Sequence, residues 1–99
     1  MAAGGAARGE MSPAHASIRI YCTEWCSYCR RAESLLRSRG VTDIEKIRVD
    51  LEPQRRVEIM EKTGLRTVPQ IYIGELHVGG FDDLAALDRA GKLGTLLAA

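Results

Sequence analysis

Cys26 and Cys29, with two residues between them in the run Glu24-Trp25-Cys26-Ser27-Tyr28-Cys29-Arg30-Arg31, are the side chains best suited to chemistry. They follow an apolar stretch that reads as a strand and precede a pattern that reads as a helix, the setting of a dithiol redox site. With Cys26 at the helix entrance and Cys29 one turn inside, both sulfurs face the same way and can close a small-ring disulfide. The first sulfur also lies among the unpaired N–H groups and positive dipole end of the helix, which favour thiolate over thiol. Only the thiolate attacks disulfides, so Cys26 is the expected nucleophile and the deeper Cys29 the expected resolving group.

Other readings of the cysteines are weaker. With Cys22 included, the spacing Cys-x3-Cys-x2-Cys resembles the cluster motif of radical enzymes that use S-adenosylmethionine, but those are much longer than these 99 residues. A structural zinc site wants four Cys or His ligands. The two histidines, His15 and His77, lie outside any finger-like spacing, and no metal site is expected. Cys22, at the end of the first strand, reads as core filling, since a free cysteine packs as a small apolar residue.

Composition narrows the field further. Fourteen basic against thirteen acidic side chains leave a net charge of +1, without the electrostatic footprint of a nucleic-acid binder. No apolar run approaches a membrane span. Residues 1–16, rich in Ala and Gly and without periodicity, read as a disordered tail that lacks the continuous apolar segment of a secretory signal. Residues 17–99 then make one domain. Three cysteines, two of them in one tight motif, do not read as a secreted disulfide framework, and a cytoplasmic home is expected.

The elements that position the dithiol read as β-α-β-α-β-β-α. From Ser17 to Cys22, Ile18, Ile20 and Cys22 alternate with Arg19 and Tyr21 as in a strand. Ala32, Leu35 and Leu36 fall on one helical face, and Gly40 is placed as its left-handed stop. Ile44 to Val49 is a second strand, parallel to the first through a right-handed crossover. Pro53 opens a second helix with Val57, Met60 and Ile59 as its apolar face and Gly64 as its end. Thr67 to Ile73 leads into a third strand, with Pro69 at its start or on an edge. Gly74-Glu75 reads as a type II′ turn into a strand of Leu76 and Val78, with His77 solvated on the opposite face. Gly79 and Gly80 turn the chain into a helix carrying Leu84, Leu87 and Ala90, and Lys92 to Leu97 adds a last helical turn. A four-stranded mixed sheet with helices on both faces, an α/β fold, buries all these stripes.

Three segments, in this order, resemble the dithiol glutaredoxins. They are Cys26-Ser27-Tyr28-Cys29 after a strand, Thr67-Val68-Pro69-Gln70 before another, and Gly79-Gly80-Phe81-Asp82-Asp83-Leu84 opening a late helix. The resemblance implies a thioredoxin-like fold and a glutathione-dependent oxidoreductase that reduces protein disulfides and protein–glutathione mixed disulfides. It implies a cis Val68–Pro69 bond facing the cysteines, with the Val68 backbone turned outward to pair with glutathione as an added strand would. It further implies a glutathione site of Cys26, Tyr28, Arg56, Arg66, Thr67, Val68, Pro69, Phe81 and Asp82. There the γ-glutamyl end would sit at the helix start near Phe81 and Asp82, and the glycyl carboxylate near Arg56 and Arg66.

Departures from the family pattern flank the nucleophile. Thr23 stands where a lysine is common, leaving the helix terminus and Arg30 as partial substitutes; Trp25 replaces a small polar residue. Ser27 replaces a proline, adding an N–H and freedom at the helix entry. That opens an alternative, a glutathione-bridged dimer carrying a [2Fe–2S] cluster on Cys26 of each copy. Otherwise the resemblance implies a monomer, with glutathione as co-substrate and disulfide-containing or glutathionylated proteins as partners. A thioredoxin-like reductase served by a flavoprotein is a third reading, which the Thr67 and Asp82 matches oppose.

Overall fold

A computed structural model describes residues 15–98 of the chain. The elements are β1 (Ile18–Cys22), α1 (Ser27–Ser38), β2 (Ile44–Arg48), α2 (Pro53–Thr63), β3 (Gln70–Ile73), β4 (Leu76–Gly79), α3 (Phe81–Arg89) and α4 (Leu93–Leu97). The strands form one sheet in the order β2-β1-β3-β4. β1 runs parallel to β2, with Ile18 opposite Ile44, and antiparallel to β3, with Ile18 opposite Ile73. Ile73 meets Leu76 across the Gly74-Glu75 turn.

Period-two alternation divides two cores between the sheet faces. Ile18, Ile20 and Cys22 of β1 and Ile71 and Ile73 of β3 pack with Cys29, Ala32 and Leu36 of α1, Leu84 of α3, and Leu93 and Leu97 of α4. On the other face Tyr21, Ile47, Val49 and Tyr72 pack with Ile59 of α2. The mixed sheet with helices on both faces is thus the architecture expected from the sequence. β1 and β3 lie inside the sheet because each offers large side chains to both cores, Ile20 and Tyr21 each 1% exposed, Ile71 0% and Tyr72 5%.

Local signals explain the helix ends. After α1, Gly40 sits at φ +94°, its N–H donating to the Arg37 carbonyl at 3.1 Å while the Val41 N–H reaches back to Leu36, also 3.1 Å. This is a Schellman closure, with buried Val41 packing in the same core as Leu36. Pro53 begins α2, and the Gly64 N–H closes it onto the Met60 carbonyl at 2.8 Å. The apolar face expected for α2 needs correction. Ile59 is its buried anchor, at 3%, whereas Val57 is 52% exposed. Two residues is about 200° round a helix, so a face that buries Ile59 turns Val57 outward.

Ala16 donates to the Leu97 carbonyl at 2.8 Å, and the Thr42 N–H donates to His15 Nε2 at 3.1 Å. The rest of the expected tail, residues 1–14, lies outside the described residues. Among the described residues no helix is long and apolar enough to cross a membrane.

Gly79, at φ +115°, makes the corner between β4 and α3, where an added Cβ would run into the Asp83 carboxylate. Among the described residues a Cβ on Gly40 meets nothing within 4 Å. Chemical denaturation should therefore show Gly40→Ala losing ~1–2 kcal/mol from backbone strain alone. Gly79→Ala should lose more, roughly 2–3 kcal/mol, as strain adds to the displaced carboxylate. Equal losses at the two positions would contradict this reading of the corner.

Candidate active site

Cys26 occupies the N-cap of α1. Its backbone is extended, at φ −95° and ψ 105°, and its sulfur accepts the Cys29 N–H at 3.2 Å. An oxygen of Ser, Thr, Asp or Asn usually fills this position; here the Cys26 sulfur satisfies the orphan donor. The loop between β1 and α1 is braced from both sides. Arg30 donates to the Glu24 carbonyl at 3.2 Å, and the Arg48 guanidinium, paired with Asp50 at 2.6 Å, also reaches the Glu24 carboxylate at 3.2 Å. The hydrogen bonds from Arg48 hold the Asp50 carboxyl down at about 2. Arg30, expected as a partial substitute for the missing lysine, is thus directed at a loop carbonyl.

Facing Cys26 is the cis Val68–Pro69 bond that the resemblance implied. The Cys26 thiol lies 3.7 Å from the Val68 carbonyl. Gln70, 2% exposed, pins this wall from behind: its amide nitrogen donates to the Thr67 carbonyl at 2.8 Å and to the Thr67 hydroxyl at 3.2 Å. Its amide oxygen meets His77 Nε2 at 2.7 Å, so His77 carries its proton on Nε2. The His77 ring lies 5.1 Å from that of Tyr72, its partner across the strands. His77 is therefore half-buried and hydrogen-bonded, not the solvated residue expected. A buried amide two residues from Tyr72 on the same strand face gives it an acceptor that strand alternation alone does not reveal. Sequence reasoning also passed over Gln70, whose signal was a lone amide in an otherwise apolar strand.

A groove of about 240 Å³ runs from this wall, lined by Tyr28, Thr67, Val68, Pro69, Phe81 and Asp82 among others. The Tyr28 and Phe81 rings stand 6.2 Å apart. At the groove's far end α3 begins. The first N–H groups of a helix have no carbonyl one turn earlier to receive them, and the N-cap here, Gly80, has no side chain to supply one. The Gly80 N–H itself donates to Asp83 at 3.0 Å. Six of the expected glutathione-site residues thus share one groove, and Cys26 touches it through Val68. Arg56, half-buried on α2, and Arg66, exposed before Thr67, do not line it.

A second recess, of about 370 Å³, lies on the other side of Cys26 and is lined by Cys22, Cys26 and Cys29 with Arg30, Glu33, Lys46 and Arg48. Cys22 is 4% and Cys29 7% exposed. Cys22 is buried in the core, as expected. The neighbouring Cys29 thiol lowers it to about 7, against the opposing effect of burial and with help from Lys46 and Arg48. Cys29 is correspondingly pushed far above the usual thiol range, first by the neighbouring Cys22 thiol, then by burial and by the Cys26 thiol.

A family model described as glutaredoxin matches residues 18–78. The chain belongs to the glutaredoxin family. With membership comes a thiol–disulfide oxidoreductase role linked to glutathione. A glutaredoxin of Pseudomonas aeruginosa is 58% identical over 82 residues, which are 83% of this chain and 96% of the relative. Glutaredoxin 3 of Escherichia coli is 45% identical over 82 residues, 83% of this chain and 98% of the relative. Among solved structures, a buckwheat glutaredoxin–glutathione complex matches with a TM-score of 0.76 at 30% identity, covering 83% of this chain and 76% of that one.

Four groups act on Cys22 from the elements around it, Cys29, Lys46, Arg48 and Asp50, the last opposing the others. In a Cys26→Ser protein the ultraviolet absorbance of thiolate should rise through a step near pH 7, and Cys22→Ala in that background should remove the step. The sign follows from a folded value below the ordinary one: stability contributed by this thiolate is present at high pH and lost as pH falls through about 7. A first thiolate step only at the ordinary cysteine value would contradict the assignment.

Proposed function

We propose that this glutaredoxin reduces protein–glutathione mixed disulfides and protein disulfides, with Cys26 as nucleophile, Cys29 as resolving thiol and glutathione as reductant. The observation that carries the proposal is the position of one sulfur. Cys26 Sγ is held by the Cys29 N–H at 3.2 Å and lies 3.7 Å from the Val68 carbonyl, where a groove leads to the open start of α3. Negative charge on that sulfur meets a hydrogen-bond donor and the positive end of a helix.

For a glutathionylated protein, the Cys26 thiolate attacks the glutathionyl sulfur and the substrate leaves as thiolate to take up a proton. A second glutathione then attacks the mixed disulfide, giving glutathione disulfide and free Cys26. For a protein disulfide, Cys26 first forms a mixed disulfide with one substrate sulfur. Cys29 then gives up its proton and attacks Cys26 Sγ, which expels the substrate's remaining thiol and leaves a Cys26–Cys29 bond. Two glutathiones restore the dithiol and leave as glutathione disulfide.

In the groove, the Val68 backbone pairs with the extended tripeptide and Tyr28, Thr67, Pro69 and Phe81 flank it. The N–H groups opening α3 receive the γ-glutamyl carboxylate, and Asp82 receives the ammonium. Arg56 and Arg66, outside the groove, are assigned to the glycyl carboxylate at its rim. The glutathione named in the buckwheat complex supports a tripeptide site in this fold. In the alternative cluster dimer, half-buried Cys26 would give one ligand per copy, but Trp25 beside it is 83% exposed and would stand in the interface. That favours the monomeric enzyme. Three free thiols suit the reducing cytoplasm.

Cys29→Ser should keep most removal of glutathionyl groups and lose most reduction of protein disulfides, while Cys26→Ser should bring both to background. Turnover of a glutathionylated peptide and of a dithiol substrate, coupled to glutathione reductase, reads the two routes separately. Near wild-type removal of glutathionyl groups by Cys26→Ser would overturn the proposal.

A further inference from the structure

Strand alternation places Cys22 on the same sheet face as Ile18 and Ile20, towards α1, where Cys29 shares a buried stripe with Ala32 and Leu36. Both thiols therefore belong to the buried cluster between β1 and α1, and both line the recess that Cys26 also lines. Lys46 and Arg48 add positive charge to the same recess. Cys29 thus has a sulfur neighbour on each of two elements, Cys26 on its own helix and Cys22 on the strand. All three cysteines are free, and the reaction proposed above uses only two of them.

We infer that Cys22 is a second resolving thiol, which exchanges with the Cys26–Cys29 bond of the oxidised enzyme to give a buried Cys22–Cys29 disulfide and a free Cys26. The inference rests on the dithiol route proposed above. Cys22, having released its proton, attacks Cys29 Sγ. The Cys22–Cys29 bond forms as the Cys26–Cys29 bond breaks, and Cys26 leaves with the electron pair as thiolate. The oxidation level does not change, because the substrate disulfide has already supplied the oxidising equivalents. The new bond lies where glutathione has little access, since both sulfurs are almost fully buried. It is reopened by the reverse attack of Cys26. While it lasts, the enzyme holds a protein-derived disulfide and yet offers an unblocked nucleophile to glutathionylated substrates. Cys29 cannot intercept the resulting mixed disulfide.

Mapping the disulfide in the oxidised wild-type chain tests this directly. Reduced protein is treated with one equivalent of glutathione disulfide, freed of small thiols, alkylated in its native state, and cleaved after glutamate. Glu24 separates Cys22 from the other two cysteines, so a Cys22–Cys29 bond joins two peptides that are otherwise unlinked. The expected product is this linked pair with Cys26 alkylated, and Cys22→Ala should lose both the linkage and the alkylation of Cys26 in the oxidised state. Finding Cys26–Cys29 as the sole disulfide, with Cys22 recovered as a free thiol, overturns the inference and leaves the proposed function intact. Finding no intramolecular disulfide overturns the inference together with the dithiol route.

Discussion

The contact between the Cys29 N–H and the Cys26 sulfur, 3.2 Å, is the constraint around which the site is arranged. It makes the Cys26 sulfur the cap of α1, so the helix cannot start elsewhere without releasing the sulfur, and the sulfur cannot turn away without leaving a donor unmet. The same arrangement puts Cys29 one turn into the helix, inside the core. One capping interaction thereby sets which thiol faces outward and which is held in reserve. It also divides the surroundings of Cys26 into a groove on the Val68 side and a recess on the Cys22 side.

The capping interaction needs a rigid frame, and apolar burial supplies it. Ile20, Leu36, Ile71 and Leu84 are each at most 1% exposed, and each such side chain stabilises by roughly 1.5–3 kcal/mol. Surface ion pairs such as Arg39 with Asp88, 2.6 Å apart, contribute little by comparison, because water and salt screen them. The two cores therefore fix β1 against α1 and α2, while the charges around the active-site loop orient it. Arg48 is the clearest case, tying Asp50 after β2 to Glu24 just before Trp25 and Cys26.

Much of this was legible in the chain itself. The order of strands and helices followed from period-two and helical patterns together with the stops at Gly40 and Gly64, and the cysteine spacing placed one sulfur at the entrance of α1 and the other one turn inside. Contacts between elements were not legible, because periodicity gives a residue a face without giving it a neighbour. Val57 was assigned to the buried face of α2 although a single anchor, Ile59, covers a narrow core there. His77 was read as solvated because nothing local reveals that Gln70, seven residues earlier, presents its amide oxygen 2.7 Å away. Cys22 looked inert for the same reason, since its character comes from Cys29 on a different element. Arg56 and Arg66, carried over from the family pattern, stand outside the groove that gathers Tyr28, Thr67, Val68, Pro69, Phe81 and Asp82.

The most direct test of the central claim follows backbone amide signals of the Cys29→Ser protein before and after glutathione is locked onto Cys26 as a mixed disulfide. With the sulfur facing the groove, the signals of Tyr28, Thr67, Val68 and the first turn of α3 should shift together, and the Val68 amide should exchange more slowly with solvent. Shifts confined to the recess around Lys46 and Arg48, with Val68 and the start of α3 unmoved, would contradict it.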